Sequence, residues 1–490
     1  MSAIPDLRLH LRNEAPERPG GRYVLYWTRA ARRTAWNYGL DRAVERAKAL
    51  GVPLLVFEDL RLGDPWASDR RHRFVLDGMA DTARRLRARG VRYYPYVEPS
   101  PGAGDGLVEA LAAEACLVVT DEFPMRPDRR LAARVAGRVP CRFEEADSCG
   151  LLPLLAADRV FATAFAFRRF LQNHLPEHLA EPPRADPLLR VHLKPLRGLP
   201  PSITRRWPPA TEALLAGDAK ALAAVPIDHG VAPAPVRGGR AAARAALRRF
   251  LDRRLDQYAD RRNHPDDDAT SGLAPYLHFG HVSPHEVLAA LAAREGWSPD
   301  RLAAKATGGR EGWWVMGPGA EAFLDQLVTW RELGYNFASR CDDYDAWASL
   351  PAWARRTLAD HARDRRPYRY ARARLAAACT HDRLWNAAQG QLVCEGRLHN
   401  YLRMLWGKKI LEWSRSPEAA LDVMIDLNNR YALDGCDPNS YSGILWILGR
   451  YDRPWGPRRA VFGTVRYMSS ENTRRKVRVR GYLERYAPGA

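Results

Sequence analysis

Tryptophan recurs along one stretch of this chain at spacings that suit electron transfer. Between Trp385 and Trp446 the sequence reads LWNAAQ, then HNYLRMLWGKKILEW, then IDLNNRYALDGCDPNSYSGILW. The middle piece carries the 3–4 apolar period of a helix over residues 398–413. That sets Trp406 and Trp413 on one helix face, about 10 Å apart along the axis at 1.5 Å per residue. Indoles at such intervals can relay an electron between a buried redox centre and the surface. Heptad-spaced tryptophans taken alone are core residues. Their company argues for more: Arg403 and Met404 share the helix, and the polar, turn-rich stretch 426–439 follows, which a plain core does not need.

Residues of this kind need a scaffold to hold them. A chain of 490 residues is too long for one core, so two domains are expected. The pattern divides it into an α/β domain over 1–175, a proline-rich connector over 176–238 and a helical domain over 239–490. In the first, RYVLYWT, PLLVFED, VRYYPYV, LVVTDEF and PCRFEEA are predicted strands, and 36–50, 69–89, 106–114 and 127–135 are predicted helices. That alternation is the mark of an open, Rossmann-like parallel sheet with crossover helices. The first strand runs into RAARRTAWN rather than G-x-G-x-x-G, so a dinucleotide fingerprint is missing where it would belong. GAGDG at 102–106 reads as a loop. Twelve prolines between Pro176 and Pro235 break every period, which predicts a surface connector anchored by Leu188, Leu189, Leu193 and Trp207. Beyond Gly239 the pattern is helical, and Ser283-Pro284-His285-Glu286 predicts a capping box.

Lys and Arg outnumber Asp and Glu by 76 to 57, a formal charge of +19. Its distribution says more than its size. Between Arg450 and Arg480 ten Arg or Lys stand against Asp452 and Glu471, interleaved with Tyr451, Trp455, Phe462 and Tyr467. That is the composition of a phosphate-tracking surface. The seven cysteines form no CxxC pair, so no zinc or iron–sulfur spacing is present and no metal is expected. Residues 1–21 are polar, and no apolar run approaches the roughly 18 residues of a membrane span. A reduced, cytoplasmic protein is the expectation.

In their order, TSGLAPYLHFGHVS, FLDQLVTWREL, HDRLWNAAQ, LHNYLRMLWGKKILEW, LNNRYALDGCDPN and DRPWG…VRYMS resemble the class II branch of the photolyase/cryptochrome superfamily over residues 240–470. Over 1–180 the likeness rests on VTDEFPMR and the strand–helix rhythm. Members of that branch are light-driven flavoproteins that repair cyclobutane pyrimidine dimers in DNA. The resemblance implies FAD in a folded form within the helical domain, with an antenna chromophore of unstated identity as an option for the α/β domain. It puts Tyr258, Thr270, Ser271, Gly272, Leu273 and Ala274 at the diphosphate, where hydroxyls and successive N–H groups suit an anion. Arg403 and Asp434 fall beside the flavin ring, a guanidinium favouring the anionic reduced form and a carboxylate limiting the cost of burying it. Asn428 faces flavin N5, where an amide can donate or accept. Trp406, Trp385 and Trp413 match the electron relay, in that order outward.

The substrate side follows the same likeness. A dimer must be flipped out of the duplex to react. Trp330, Trp446 and Met404 match the walls that receive it. Arg262, Tyr370, Arg453 and Arg466 match residues that hold the backbone or fill the gap. One position departs: the family's lesion-binding glutamate is here Gln326, preceded by Asp325, so geometry is kept and the charge lost. The expected protein is a monomeric DNA photolyase whose partner is UV-damaged DNA. Its rivals are a flavin photoreceptor without repair, which only Gln326 favours, a (6-4) photoproduct enzyme and a light-independent DNA-binding protein.

Overall fold

The structure is a computed structural model and describes residues 4–487. It divides into two compact units. Among the described residues, one comprises 4–158, 173–249 and 272–302; the other comprises 159–172, 250–271 and 303–487.

The first unit is built on a six-stranded sheet, ordered β1-β6-β5-β2-β3-β4. The strands are β1 (Leu9–Leu11), β2 (Tyr23–Thr28), β3 (Leu54–Leu60), β4 (Arg92–Val97), β5 (Ala115–Asp121) and β6 (Arg142–Ala146). The five predicted strands pair in parallel, with β2 between β3 and β5. Every residue of β2, β3 and β5 is buried, as expected where helices cover both faces of a parallel sheet. One apolar layer sets Leu25, Trp27 and Phe57 against Leu107, Leu111 and Trp207. The other sets Val24, Tyr26 and Val56 against Leu40, Val44 and Leu86.

Three features of this unit escaped the sequence pattern. The short strand β1 lies in the polar N-terminal stretch and pairs antiparallel with β6. The proline-rich segment contains the helices Pro201–Arg206, Glu212–Ala216 and Ala219–Ala223, each too short to show a period. Pro201 sits in the first turn, where its missing N–H costs nothing. Of the expected anchors, Leu188 and Trp207 are buried, but Leu189 is 56 % exposed. Ser283 starts its helix by accepting from the His285 N–H, while Glu286 turns to Arg240 at 2.7 Å and Arg244 at 3.4 Å. The helix start therefore stands, but the expected reciprocal box is replaced by ion pairs.

The turn after β2 has a direct bearing on ligands. In open α/β sheets a ligand crevice opens where the strand order reverses, here between β2 and β5. Asp121 Oδ2 accepts the N–H groups of Arg29, Ala30 and Ala31 at 2.8, 2.9 and 2.8 Å. The backbone concavity that could cradle a phosphate is thus filled by the chain's own carboxylate. That is the physical counterpart of the missing glycine fingerprint.

The second unit is helical. Its framework includes Arg383–Glu395, Asn400–Trp413, Pro417–Tyr431 and Pro438–Ile447. Asp382 caps the first by accepting from Leu384 and Trp385, and Ser416 and Asp437 cap the last two. Such caps satisfy N–H groups that a helix start leaves open.

Candidate functional site

Helix Asn400–Trp413 is the axis of the site. Gly407 lets it approach Pro438–Ile447 closely, since a Cβ there would stand 2.2 Å from Ile447 Cδ1. Arg403 donates to Asn428 Oδ1 at 2.7 Å and to Asp434 Oδ2 at 3.5 Å. Asn428 belongs to helix Pro417–Tyr431 and Asp434 to the loop that follows it. That loop folds tightly back on the helix: a Cβ on Gly435 would lie 2.9 Å from Asn429 Cα. Asn429 Oδ1 holds the loop by accepting from Cys436 N, and its Nδ2 donates to Tyr441. The three expected ring-side residues are therefore brought together by a fixed network. Asp434 Oδ1 is buried with no hydrogen-bond partner among the described residues. An unmet buried carboxylate oxygen costs about 1–3 kcal/mol or more, so a ligand N–H is the natural complement.

The tryptophans form a connected path. Trp406 Nε1 donates to Gln389 Oε1 at 2.9 Å, and Trp385 Nε1 donates to the Trp406 carbonyl at 3.0 Å. Trp385 meets Trp413 edge to face, with ring centroids 5.4 Å apart. All three are buried, Trp413 included at 2 % exposure. Beyond Trp413 lie Tyr370 and His381, each with a centroid 5.3 Å from it, and Tyr370 Oη is 2.6 Å from His381 Nδ1. Tyr370, one of the residues expected at the DNA, also packs on the outer indole.

Tyr258 is buried against Phe250 and Phe323, and burial holds its phenol above the ordinary value. Arg262 stacks over its ring at 5.7 Å. Thr270 and Ser271 are half-buried, and Gly272 follows at φ +70° with open space where a Cβ would be. Leu273 is the N-cap of Ala274–His278 and brings no side-chain cap to it. The approach to this loop is braced. Arg254 donates to the Thr270 carbonyl at 3.0 Å and pairs with Asp268, as does Arg397. Asp266 accepts from Gly481 and Tyr482 N–H groups, and Asp267 pairs with Arg478. Sequence reasoning missed these partners, which lie too far along the chain for spacing to reveal.

On the expected lesion side, Trp330 and Trp446 stack with centroids 4.5 Å apart and planes at 22°. Gln326 is half-buried on the same segment, Asp325–Trp330, which is a π-helix. Asp325 is buried and does not share that exposure. Arg168 holds it at 2.8 and 2.7 Å. Met404 is half-buried one residue after Arg403.

The basic stretch is only partly a surface. Arg450 lies over Phe337 at 3.7 Å, and Phe462 is buried. Arg453 and Arg466 are exposed and flank Trp455 at 5.3 and 5.4 Å. Arg475, Arg478 and Arg480 are engaged by Glu471, Asp267 and Glu484. No group of three His, Cys, Asp or Glu able to hold a metal occurs among the described residues. No helix among them is long and apolar enough to cross a membrane.

The DNA photolyase family profile matches residues 24–187. A protein of Methanothermobacter thermautotrophicus named deoxyribodipyrimidine photo-lyase is 34 % identical over 477 residues, covering 97 % of each chain. One of that name from Oryza sativa subsp. japonica is 34 % identical, over 95 % of this chain and 87 % of its own. Among solved structures, a bacterial class III photolyase from Agrobacterium tumefaciens superposes with a TM-score of 0.66. It covers 95 % of this chain and 86 % of its own at 16 % identity, which speaks for the fold.

Proposed function

This chain belongs to the DNA photolyase family, and we propose that it is a deoxyribodipyrimidine photo-lyase of the class II type, acting on cyclobutane pyrimidine dimers in UV-damaged DNA. The observation that carries this reading is the Arg403–Asn428–Asp434 cluster with its unmet carboxylate oxygen, its arginine on the helix that also carries Trp406 and Trp413, with Trp385 bonded to the Trp406 carbonyl and packed edge to face on Trp413. The class assignment rests on the run of motifs from TSGLAPYLHFGHVS to VRYMS.

The residues suit FAD as the resident cofactor. Bound and reduced, FAD supplies light-driven one-electron chemistry that is redox-neutral over the cycle. Tyr258 and the stretch Thr270, Ser271, Gly272, Leu273 and Ala274 would hold its diphosphate. Arg403 would favour the negative charge of the reduced ring, and Asp434 both orients that guanidinium and offers an acceptor. Asn428 would place its amide at the ring nitrogen that changes protonation. Trp406, Trp385 and Trp413 would carry electrons inward, with Tyr370 and His381 at the outer end.

Trp330, Trp446 and Met404 would wall the flipped dimer, with Gln326 as its hydrogen-bonding side chain. Arg262, Tyr370, Arg453 and Arg466 would hold backbone or fill the gap. On this reading the protein works as a cytoplasmic monomer, divided functionally at 1–175, 176–238 and 239–490. Any antenna chromophore in the α/β domain must bind away from the concavity that Asp121 fills. Gln326 is the one residue that favours a photoreceptor without repair.

The cofactor assignment is tested by the absorption of purified protein after incubation with FAD and removal of unbound cofactor. Retained flavin with structured near-UV and blue bands is expected, and Arg403→Ala should lower its retention. A chain that retains no flavin would refute the reading.

A further inference from the structure

The side chain that meets the lesion in the proposed reading sits on an unusual piece of backbone. Asp325–Trp330 is a π-helix of six residues inserted between the α-helices Pro318–Leu324 and Arg331–Arg340. A π-turn packs one residue more than an α-turn and has the poorer geometry, so it persists where something outside the helix holds it. Here an external hold is visible. Arg168, from the helix Ala164–His178, reaches Asp325 Oδ1 with Nε at 2.8 Å and Nη2 at 2.7 Å. Both side chains are 7 % exposed. The arginine is itself fixed, donating to the Gly308 carbonyl at 3.2 Å, and Gln172 one turn later exchanges hydrogen bonds with Gly308 and Gly309. Asp325 Oδ2 then stands 3.5 Å from Gln326 Nε2.

We propose that the buried Arg168–Asp325 pair is the positioning device of the lesion pocket, holding the π-turn that presents Gln326 and sets Trp330 against Trp446. The proposal rests on the photolyase reading for its function but not for its geometry. Asp325 is a positioning residue here: its carboxylate is consumed by Arg168 and does not serve the dimer. Without the pair, the turn relaxes toward α-helix. Residues from 326 onward then rotate relative to Pro318–Leu324, moving the amide and the indole together.

The test uses the full chain with Arg168→Met, Asp325→Leu and the double variant. Each single change strands a charge in the interior and can unfold the protein, whereas an apolar replacement of both partners is often tolerated. Two readouts are taken. The first is the exciton couplet in circular dichroism from the Trp330–Trp446 stack, identified by its loss in Trp330→Phe. The second is dimer repair per absorbed photon at measured flavin content.

The double variant is expected to fold, to retain flavin, to lose most of the couplet and to repair at least about tenfold less well, in line with the cost of a small misplacement of reacting groups. Arg168→Lys should recover part of both signals. A double variant with native couplet and native repair overturns the proposal. So does loss of repair in Asp325→Leu with the couplet intact and Arg168→Met unaffected, which would mean that Asp325 touches the dimer itself. If the native chain repairs no dimers, the functional reading falls while the dichroism still decides the geometry.

Discussion

Asp325 and Gln326 are neighbours in sequence with opposite fates, one buried in an ion pair and the other half-open to the proposed pocket. Restoring a carboxylate at 326 would set it about where Gln326 Nε2 now lies, 3.5 Å from Asp325 Oδ2. A like charge so near disfavours ionisation, so the new carboxyl should titrate above the ordinary glutamate range. Gln326→Glu is therefore expected to repair at least as well as the native chain where it is protonated. Its yield should fall as pH rises through the raised pKa, while the native amide gives a flat profile over that window. Parallel pH profiles of the two proteins would show that residue 326 does not meet the dimer. The relay makes a separate prediction. Trp406→Phe should abolish photoreduction of oxidised flavin yet leave repair by pre-reduced protein nearly intact, and transient absorption checks the first half. Both residues were visible in the sequence, because motif order places them. The pair that governs Asp325 was not, since Arg168 lies 157 positions away and nothing in local spacing links the two.

Helices carry these side chains, and one junction between them is electrostatically loaded. Lys408, on Asn400–Trp413, is 1 % exposed and donates to the Ile447 carbonyl at the end of Pro438–Ile447. It thereby caps the helix that carries Trp446. Burial pushes its pKa down to about 7, with Asp452 raising it and Arg466 lowering it. In the unfolded chain the same group titrates near 10.4. Between those values the unfolded state holds a proton that the folded state lacks, so this lysine makes stability rise with pH across that window. Below about pH 7 both states are charged and the full burial penalty applies. Lys408→Met should therefore be most favourable relative to the native chain at or below pH 7. That advantage should shrink steadily toward pH 10, as read from the difference in Tm. A pH-independent difference would mean that Lys408 stays charged when folded. At this scale strands and long helices were legible from alternation and 3–4 periods, and the lengths came out within a few residues. The π-turn was not, because an extra residue per turn leaves no mark on an apolar pattern. Nor was β1, an edge strand of three residues in a polar stretch.

The net charge of the whole chain is +19, and its basic stretch 450–480 offers two kinds of exposed arginine. Arg453 and Arg466 flank an exposed indole, whereas Arg474 is exposed in the first turns after that loop. Arg453→Ala and Arg466→Ala should weaken binding to damaged duplex more than to undamaged duplex. Arg474→Ala should weaken both alike and lower the salt slope by roughly one unit for a lost phosphate contact. Titrations across salt decide it, and identical behaviour of all three variants would remove the lesion-specific role. The direct measurement is illumination of the flavin-loaded, pre-reduced protein with dimer-containing oligothymidine, following the return of thymine absorbance. The account predicts recovery in light and none in the dark, with the flavin left reduced at the end. A chain that binds reduced flavin and the damaged strand, yet restores no thymine under light, would contradict it.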